Sequence, residues 1–255
     1  ISPDGKDNRS FAIAEGLFPK SKSSIVGEGS ANGIDLERFD PERHRAGGLE
    51  IREQLKAGPD DVIIGTVTRM VRDKGTEELI RAFEKLAREK PNVRLLLVGP
   101  REDHRSPLGP EIWKIIETHS RIRWVGPQSD VPAYYAAMDV FVLASYREGF
   151  GIVNLEASAM KLPVISTDVN GPRESIVPGK TGLLVPVAEV EPLYRAMKKL
   201  ADDAELRKRM GEAGRRRVIE SFDARKMWKL WHEHRLRLLN RAPSSIQDPA
   251  SSIGK

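Results

Sequence analysis

The 255-residue sequence contains no cysteine and no long hydrophobic run. Without cysteine, disulfide bonds, thiolate nucleophiles and thiolate metal ligands are all excluded. No apolar run approaches the ~20 residues that a membrane-spanning helix needs, and the first ten residues are too polar for a signal peptide. Charged residues make up 31% and hydrophobic residues 39% of the chain, which is typical of a globular protein with one or two cores. These features are compatible with a cytoplasmic protein.

Common nucleotide-binding and metal-binding motifs are absent as well. No P-loop occurs, and the stretch G-F-G-I-V-N has Asn154 where a G-x-G-x-x-G motif would have its third glycine. No Asp-x-Asp pair is present to hold a metal-bound diphosphate. His232 and His234 lie two residues apart in a predicted helix and therefore point in different directions. We expect no metal site and no metal requirement.

Positive charge is concentrated near the carboxyl end of the chain. The net charge is +5, and residues 198–241 contain fourteen Lys and Arg against seven Asp and Glu. A solvated helical face is the simpler interpretation, and attraction to an anionic membrane surface is the alternative. No nucleic-acid-binding motif accompanies the charge, so nucleic acid is not an expected partner.

Six short apolar runs alternate with helical patterns from residue 61 onwards. The runs are Val62–Val67, Val93–Val98, Ile122–Val125, Val140–Ala144, Pro163–Thr167 and Gly182–Val185. Apolar strands that interleave with helices are typical of parallel sheets, so we predict an α/β fold, a Rossmann-like parallel sheet with helices on both faces. Three further helices are predicted to follow: Val190–Leu200, Ala204–Glu220 and Ala224–Leu239. Ligands of such sheets bind at the carboxyl ends of the strands, near a switch point in strand order.

The stretch at residues 145–160, S-Y-R-E-G-F-G-I-V-N-L-E-A-S-A-M, combines two carboxylates with a helix start. Glu148 precedes the predicted helix, and Glu156 lies just over one turn inside it. The backbone N–H groups at the helix start are unpaired and favour an anion; they belong to Phe150, Gly151, Ile152 and Val153. The two carboxylates can accept hydrogen bonds from hydroxyls, and the N–H groups beside them can donate to a phosphate. This combination predicts a ligand with both groups, such as a nucleotide-sugar.

A second set of charged residues follows the first predicted strand. Arg69 and Lys74 lie five residues apart and straddle a turn that ends at Gly75. Two cations at the carboxyl end of a strand can neutralise a diphosphate, although exposed loop cations are also common. Combined with the helix start at Gly151, they favour a diphosphate site.

These motifs together resemble the glycosyl transferases group 1 family, a family of retaining enzymes with the GT-B fold. The matching elements are R-x4-K (Arg69, Lys74), E-G-F-G-I-V-N-L-E (148–156), P-V-I-S-T (163–167), N-G-P-R-E (170–174) and G-K-T-G-L-L-V (179–185). The resemblance covers about residues 30–239, and it is to the C-terminal, donor-binding half of the fold.

The resemblance implies a role for each matching residue. Arg69 and Lys74 would hold the donor diphosphate, Glu148 would contact the donor sugar, and Glu156 would bind the ribose. The backbone amides of residues 150–153 would contact the sugar and the phosphates. Val125 would lie beside the base, with Tyr134 near it. By the family's front-face mechanism, Glu148, Arg69 and Lys74 are the expected catalytic residues, because they act on the departing diphosphate and its sugar.

The same resemblance predicts the domain organisation. Residues 1–26 resemble the end of an N-terminal acceptor domain, 27–41 an interdomain linker, 42–240 the nucleotide-sugar-binding domain, and 241–255 a disordered tail. Residues 11–17 are predicted to be helical and 24–26 to form a strand. The chain does not begin with Met, and we expect it to be part of a longer protein. It lacks an acceptor domain, so we expect it to bind donor but to transfer sugar poorly.

The expected partners are a nucleotide-sugar, with UDP as the favoured nucleotide, and an acceptor glycan or lipid-linked sugar. The linker S-A-N-G-I-D-L-E-R-F is similar to those of bacterial capsule and lipid-linked oligosaccharide enzymes, which implies a peripheral position at the inner membrane face. The sequence departs from the family at Asn170-Gly171, where the family usually has Gly-Gly. Two alternatives stay open: another GT-B enzyme, such as a nucleotide-sugar epimerase or a sugar phosphorylase, and a non-catalytic nucleotide-binding or membrane-docking module.

Overall fold

A six-stranded, wholly parallel sheet forms the centre of the molecule, as the computed structural model shows for residues 1–30 and 32–240. The strands are β1 (Val62–Val67), β2 (Val93–Val98), β3 (Ile122–Trp124), β4 (Val140–Leu143), β5 (Val164–Thr167) and β6 (Gly182–Val185). The sheet confirms the predicted α/β class, and all six predicted strands are present to within one residue. The tail predicted at 241–255 lies outside the described residues.

Ten α-helices surround the sheet in the part of the chain that the structure describes. They are α1 (Lys6–Ala14), α2 (Arg45–Gln54), α3 (Thr76–Glu89), α4 (Pro110–Thr118), α5 (Pro132–Ala137), α6 (Ile152–Ala159), α7 (Pro172–Ser175), α8 (Val190–Asp202), α9 (Ala204–Ser221) and α10 (Ala224–Leu239). Each described helix falls short of the length and apolar character needed to cross a membrane.

Both faces of the sheet are covered by apolar side chains. On one face the core is formed with α3, α4 and α8, whose apolar stripes include Phe83, Ile112 and Met197. On the other face the core includes Tyr135 of α5, Leu155 of α6 and residues of the flanking loops. Burial on both faces explains why the strands read as continuous apolar runs rather than as alternating ones.

The strand order β3-β2-β1-β4-β5-β6 places a switch point between β1 and β4. The chain runs outward from β1 through β2 and β3, then returns to add β4 on the other side of β1. Ile64 of β1 is in register with Val140 of β4 and with Leu95 of β2. Because consecutive connections leave β1 and β4 in opposite directions, their carboxyl ends border a crevice.

Several predictions for the amino-terminal quarter are wrong. The first helix spans Lys6–Ala14 rather than residues 11–17, and residues 24–26 form no strand. The sequence also gave no indication of α2, because Gly47 and Gly48 favour a loop. Gly48 is instead a packing residue, since a Cβ there would lie 2.8 Å from the carbonyl of Ala136 in α5. The missing side chain lets the two helices pack closely.

Candidate functional site

The loops that follow β1 and β4 meet at the switch point. After Val67 the first loop closes in a 3-10 turn, Arg72–Lys74, and reaches Gly75 in the left-handed conformation with a φ of 64°. A Cβ at Gly75 would lie 2.1 Å from the carbonyl oxygen of Ala144, so the loop packs directly on the end of β4. Only glycine fits both the backbone angle and the available space.

Backbone and side-chain contacts fix the two loops to each other. The Tyr146 N–H donates to the Asp73 carbonyl oxygen at 2.8 Å. Lys74 Nζ donates to Glu148 Oε1 at 2.5 Å, and these side chains are only 15% and 19% exposed. The structure therefore brings together two predicted site residues that are 74 positions apart in the chain.

Arg69 takes a different partner from Lys74. Its Nη1 donates to Glu102 Oε2 at 2.6 Å, and the Arg69 side chain is 45% exposed. Glu102 belongs to the loop after β2, the strand next to β1, so Arg69 lies on the β2 side of the switch point. The pKa of the nearby Asp73 is lowered, mainly by the hydrogen bond from the Ser106 hydroxyl. The charges of Arg147 and Arg69 lower it further.

The start of α6 presents backbone donors beside the Lys74–Glu148 pair. Gly151 is the N-cap, with a φ of 74°, and no side chain caps the helix. Among the described residues, no acceptor meets the N–H groups of Ile152 and Val153. These donors, with the helix dipole behind them, form an anion-binding end. The Phe150 side chain is buried against Phe222, with ring centroids 5.7 Å apart, so only its backbone faces the loop.

Buried hydrogen bonds hold the first turn of α6 in place. The Asn154 side chain is fully buried, and its Nδ2 donates to Ser175 Oγ at 2.9 Å and to Ser166 Oγ at 3.2 Å. Asn154 stands where a G-x-G-x-x-G motif would have glycine. Its role here is to tie α6 to β5 and α7.

The unusual Asn170-Gly171 pair keeps glycine where the backbone requires it. Gly171 has a φ of 88°, and a Cβ there would lie 2.4 Å from the Gly149 carbonyl oxygen. Asn170, by contrast, is exposed. Glu174, three residues later, accepts the N–H groups of Lys6 and Asp7 at 2.7 Å and so caps α1 against this loop.

Glu156 lies one turn inside α6 and has a partner that the sequence did not predict. The Tyr135 hydroxyl donates to Glu156 Oε2 at 2.8 Å. Burial raises the pKa of Glu156 and outweighs the opposing effects of the Tyr135 hydrogen bond and the Arg38 charge. Burial and the neighbouring carboxylate raise the pKa of Tyr135 well above its usual value. Tyr135 therefore stays a hydroxyl donor at physiological pH.

The two residues predicted to lie near the base are farther along the sheet. Val125 follows β3, and its N–H donates to the Leu97 carbonyl oxygen at 3.0 Å. Tyr134 is partly buried on α5, beside Tyr135 in sequence. A residue such as Asp130, which lies just before α5 in the sequence, would be a good side-chain cap for the start of that helix. Instead Val131 is the N-cap, and Asp130 lies 3.8 Å from Arg38.

The switch point differs in character from the surface grooves of the molecule. One groove of about 410 Å³ lies against α10 and is lined in part by Gly27, Lys226 and Leu230. It has neither a helix N-terminus nor a convergence of strand ends. Within residues 1–30 and 32–240, no three His, Asp or Glu side chains are clustered as metal ligands. The chemistry-bearing groups converge where β1, β4 and α6 meet.

Comparisons with known proteins agree with this architecture. Residues 49–217 match the family described as glycosyl transferases group 1. Over 217 residues the chain is 34% identical to the capsular polysaccharide biosynthesis glycosyltransferase CapM of Staphylococcus aureus, covering 85% of this chain and 56% of that protein. The chain thus spans about half the length of the curated relatives it matches.

Two solved structures resemble the fold closely. Sucrose-phosphate synthase from Thermosynechococcus elongatus superimposes with a TM-score of 0.79 at 27% identity, over 94% of this chain and 58% of that one. The C-terminal domain of a glycosyl transferase group 1 family protein (LpcC) from Francisella tularensis gives a TM-score of 0.63 at 26% identity, over 75% of this chain and 99% of that one. The fold, the motifs and the match over residues 49–217 show that this chain belongs to the glycosyl transferases group 1 family.

Proposed function

We propose that this chain is the donor-binding part of a retaining glycosyltransferase that takes a sugar from a UDP-sugar. The observation that carries the proposal is the Lys74–Glu148 contact of 2.5 Å at the switch point between β1 and β4. In a nucleotide-sugar, the distal phosphate is bonded directly to the sugar. A cation for that phosphate and a carboxylate for the sugar hydroxyls should therefore be neighbours, as these two residues are.

Three groups would stabilise the diphosphate. Lys74 supplies a largely buried ammonium, Arg69 a guanidinium on the β2 side, and α6 the N–H groups of Ile152 and Val153 at its positive end. In front-face displacement, negative charge grows on the leaving diphosphate while its oxygen helps to deprotonate the acceptor. Fixed positive charge at that position lowers the barrier most, because it acts where charge develops. No metal ion is needed in this scheme.

Glu156 would accept hydrogen bonds from the two ribose hydroxyls. It lies four residues after Ile152, which corresponds to roughly 6 Å along the helix axis. A ribose next to a diphosphate held at the helix start would therefore come within reach of the carboxylate. Val125 and Tyr134, on the β3 side, remain the proposed neighbours of the base.

The biological role proposed for the whole protein is synthesis of a cell-surface or lipid-linked polysaccharide. Its support is the similarity to the capsular polysaccharide enzyme and the resemblance of residues 30–39 to linkers of such enzymes. The acceptor would bind to the half of the relatives' length that this chain does not span.

We propose peripheral binding at the inner membrane face on the basis of the carboxyl-terminal helices. On α9, Lys208, Arg209 and Arg216 are exposed, and on α10 the Trp228 side chain is 64% exposed. Exposed cations and an exposed tryptophan on these two helices suit an anionic lipid surface. Sedimentation with vesicles of phosphatidylcholine, with and without phosphatidylglycerol, tests this. Equal binding to both would contradict the electrostatic role.

Calorimetric titration with UDP, GDP and ADP tests the donor-binding proposal. We expect one nucleotide, UDP, to bind with a micromolar Kd, and Glu156→Ala to weaken it by at least about tenfold. Glu189→Ala is the matched control, because Glu189 is an exposed carboxylate outside the switch point. Failure of all three nucleotides to bind would overturn the proposal and favour a non-catalytic docking module.

A further inference from the structure

A buried hydrogen bond ties Glu156 to the core of the protein. Tyr135 is fully buried, and its hydroxyl donates to Glu156 Oε2 at 2.8 Å. Its ring packs against Phe141 of β4 and Phe39, with centroid separations of 5.5 and 6.1 Å. Packing therefore holds the phenol ring in a single orientation, with its hydroxyl directed at Oε2 of Glu156.

The second oxygen of Glu156 is left open. In the part of the chain that the structure describes, no donor reaches Glu156 Oε1. An ionised carboxylate has about four lone-pair positions over its two oxygens. Tyr135 occupies one of them, and two hydroxyls on adjacent carbons need two. The remaining lone pairs of Glu156 can therefore accept from a vicinal diol, and the Tyr135 hydrogen bond restrains rotation of the carboxylate.

We propose that Tyr135 is a positioning residue that makes the site selective for ribose over 2′-deoxyribose, by holding the Glu156 carboxylate toward a vicinal diol. This inference rests on the proposed function of the same site, and it goes beyond it by assigning the selectivity to a residue that does not touch the nucleotide. The chemical class selected is a ribonucleoside diphosphate.

The positioning role predicts a specific pH dependence of binding, because it depends on the charge state of Glu156. An ionised carboxylate accepts hydrogen bonds from Tyr135 and from two ligand hydroxyls more strongly than a protonated carboxyl does. Among the described residues, two groups affect the charge of Glu156: the neutral, titratable Tyr135 hydroxyl from α5 and, at longer range, the Arg38 cation from the segment before α2. The Tyr135 hydrogen bond favours the ionised form, so its removal should shift the onset of ribose-dependent binding to higher pH.

The test compares UDP and 2′-deoxy-UDP in calorimetric titrations of the wild type and of Tyr135→Phe. In the wild type we expect UDP to bind at least about tenfold more tightly than 2′-deoxy-UDP. In Tyr135→Phe we expect that ratio to fall to about threefold or less, mainly through weaker UDP binding. The pH at which UDP binding is half-maximal should rise in the variant, whereas 2′-deoxy-UDP binding should change little.

Tyr194→Phe is the matched control, because Tyr194 donates to Glu89 Oε1 at 2.5 Å between α8 and α3, on the other face of the sheet. It should change neither the ratio nor the pH profile. Thermal melts verify that both variants fold, as expected when a hydroxyl alone is removed.

The possible outcomes are distinguishable. A wild type that prefers UDP, with Tyr135→Phe preferring it equally at every pH, would overturn the role of Tyr135 alone. A wild type that binds no nucleoside diphosphate would overturn the proposed function and this role together. A variant that loses UDP and 2′-deoxy-UDP binding in equal proportion would mean that Tyr135 acts only in folding.

Discussion

Lys74 Nζ and Glu148 Oε1 lie 2.5 Å apart and join the loops that follow β1 and β4. One residue was predicted to hold a phosphate and the other a sugar, yet in the structure each is the partner of the other. Both side chains are largely shielded from water, so removing either one leaves a charge poorly compensated. A bound diphosphate would therefore have to compete with Glu148 for the Lys74 ammonium.

Variants of the two residues should affect UDP binding differently. Lys74→Ala removes a cation for the diphosphate and should weaken UDP binding by at least about tenfold. Glu148→Gln releases Lys74 from its carboxylate, so it should leave UDP binding unchanged or tighter while weakening binding of the UDP-sugar. Calorimetry with UDP and UDP-N-acetylglucosamine measures both effects.

Lys85→Ala serves as the control, because Lys85 forms a comparable ion pair with Glu191 on the surface of α3 and α8. It should leave both ligands unaffected. Equal losses of UDP binding in Lys74→Ala and Glu148→Gln would show that the pair matters only for the shape of the loops.

Arg69 should bind a diphosphate better once its own partner is removed. Its ion pair with Glu102 is half-exposed, and such pairs contribute up to about 1 kcal/mol. Glu102→Ala should therefore tighten UDP binding by up to about fivefold. Asp103→Ala removes the neighbouring partner of Arg101 and should have no effect. Weaker UDP binding in Glu102→Ala would mean that the Glu102 pair holds Arg69 in its binding position.

Glu156 should stabilise the complex but destabilise the free protein at neutral pH. Burial raises the pKa of Glu156 in the folded state. As pH rises, the Glu156 carboxyl therefore loses its proton at a lower pH in the unfolded chain than in the folded protein. Stability of the free protein therefore falls as pH rises from the unfolded-state pKa through the folded-state pKa. Glu156→Gln should melt at a higher temperature than the wild type at pH 7 and should bind UDP poorly.

Thermal melts at pH 4 and pH 7 measure this difference. The advantage of Glu156→Gln should shrink at pH 4, where the wild-type carboxyl is mostly protonated in both the folded and the unfolded state. UDP binding by the wild type should fall on acidification, starting above the usual range of a glutamate carboxyl. A Glu156→Gln variant less stable than the wild type at both pH values would contradict the desolvation of this carboxylate.

Gly75 should be far less replaceable than an exposed glycine with similar backbone angles. Gly75→Ala combines a φ of 64° with a Cβ 2.1 Å from the Ala144 carbonyl oxygen, so it should lower the free energy of unfolding by about 2–5 kcal/mol. Gly179→Ala has a φ of 74° but no atom within 4 Å of its Cβ, so it should cost about 1–2 kcal/mol. Urea unfolding compares the two, and equal losses would indicate that the loop after β1 can move away from β4.

The sequence predicted the parts of the fold that are encoded locally. Strands such as Val62–Val67 and Val140–Leu143 were placed correctly because burial on both faces makes them continuous apolar runs. Helix α2 was missed because a packing glycine and a loop glycine look the same in a sequence. Gly48 acquires its role only from Ala136, 88 positions away.

The same distinction applies to the candidate site. Glu148, Lys74 and Glu156 were predicted to be site residues from their residue types and from their positions after strands or at a helix start. The partners of these residues could not be predicted, because the contacts join segments that are distant in the sequence. The pairs are Lys74 with Glu148, Arg69 with Glu102, and Glu156 with Tyr135. In the sequence Tyr134 and Tyr135 are equivalent neighbours, and only the packing of α5 selects Tyr135 to face the carboxylate.

We expect the switch point between β1 and β4 to bind the diphosphate. Two-dimensional ¹⁵N–¹H NMR of the chain titrated with UDP locates the bound nucleotide residue by residue. We expect the largest shift changes at the amides of Ile152, Val153 and Lys74, with smaller ones near Glu156. Absence of changes there, or the largest changes in the α10 groove around Gly27 and Lys226, would contradict the account.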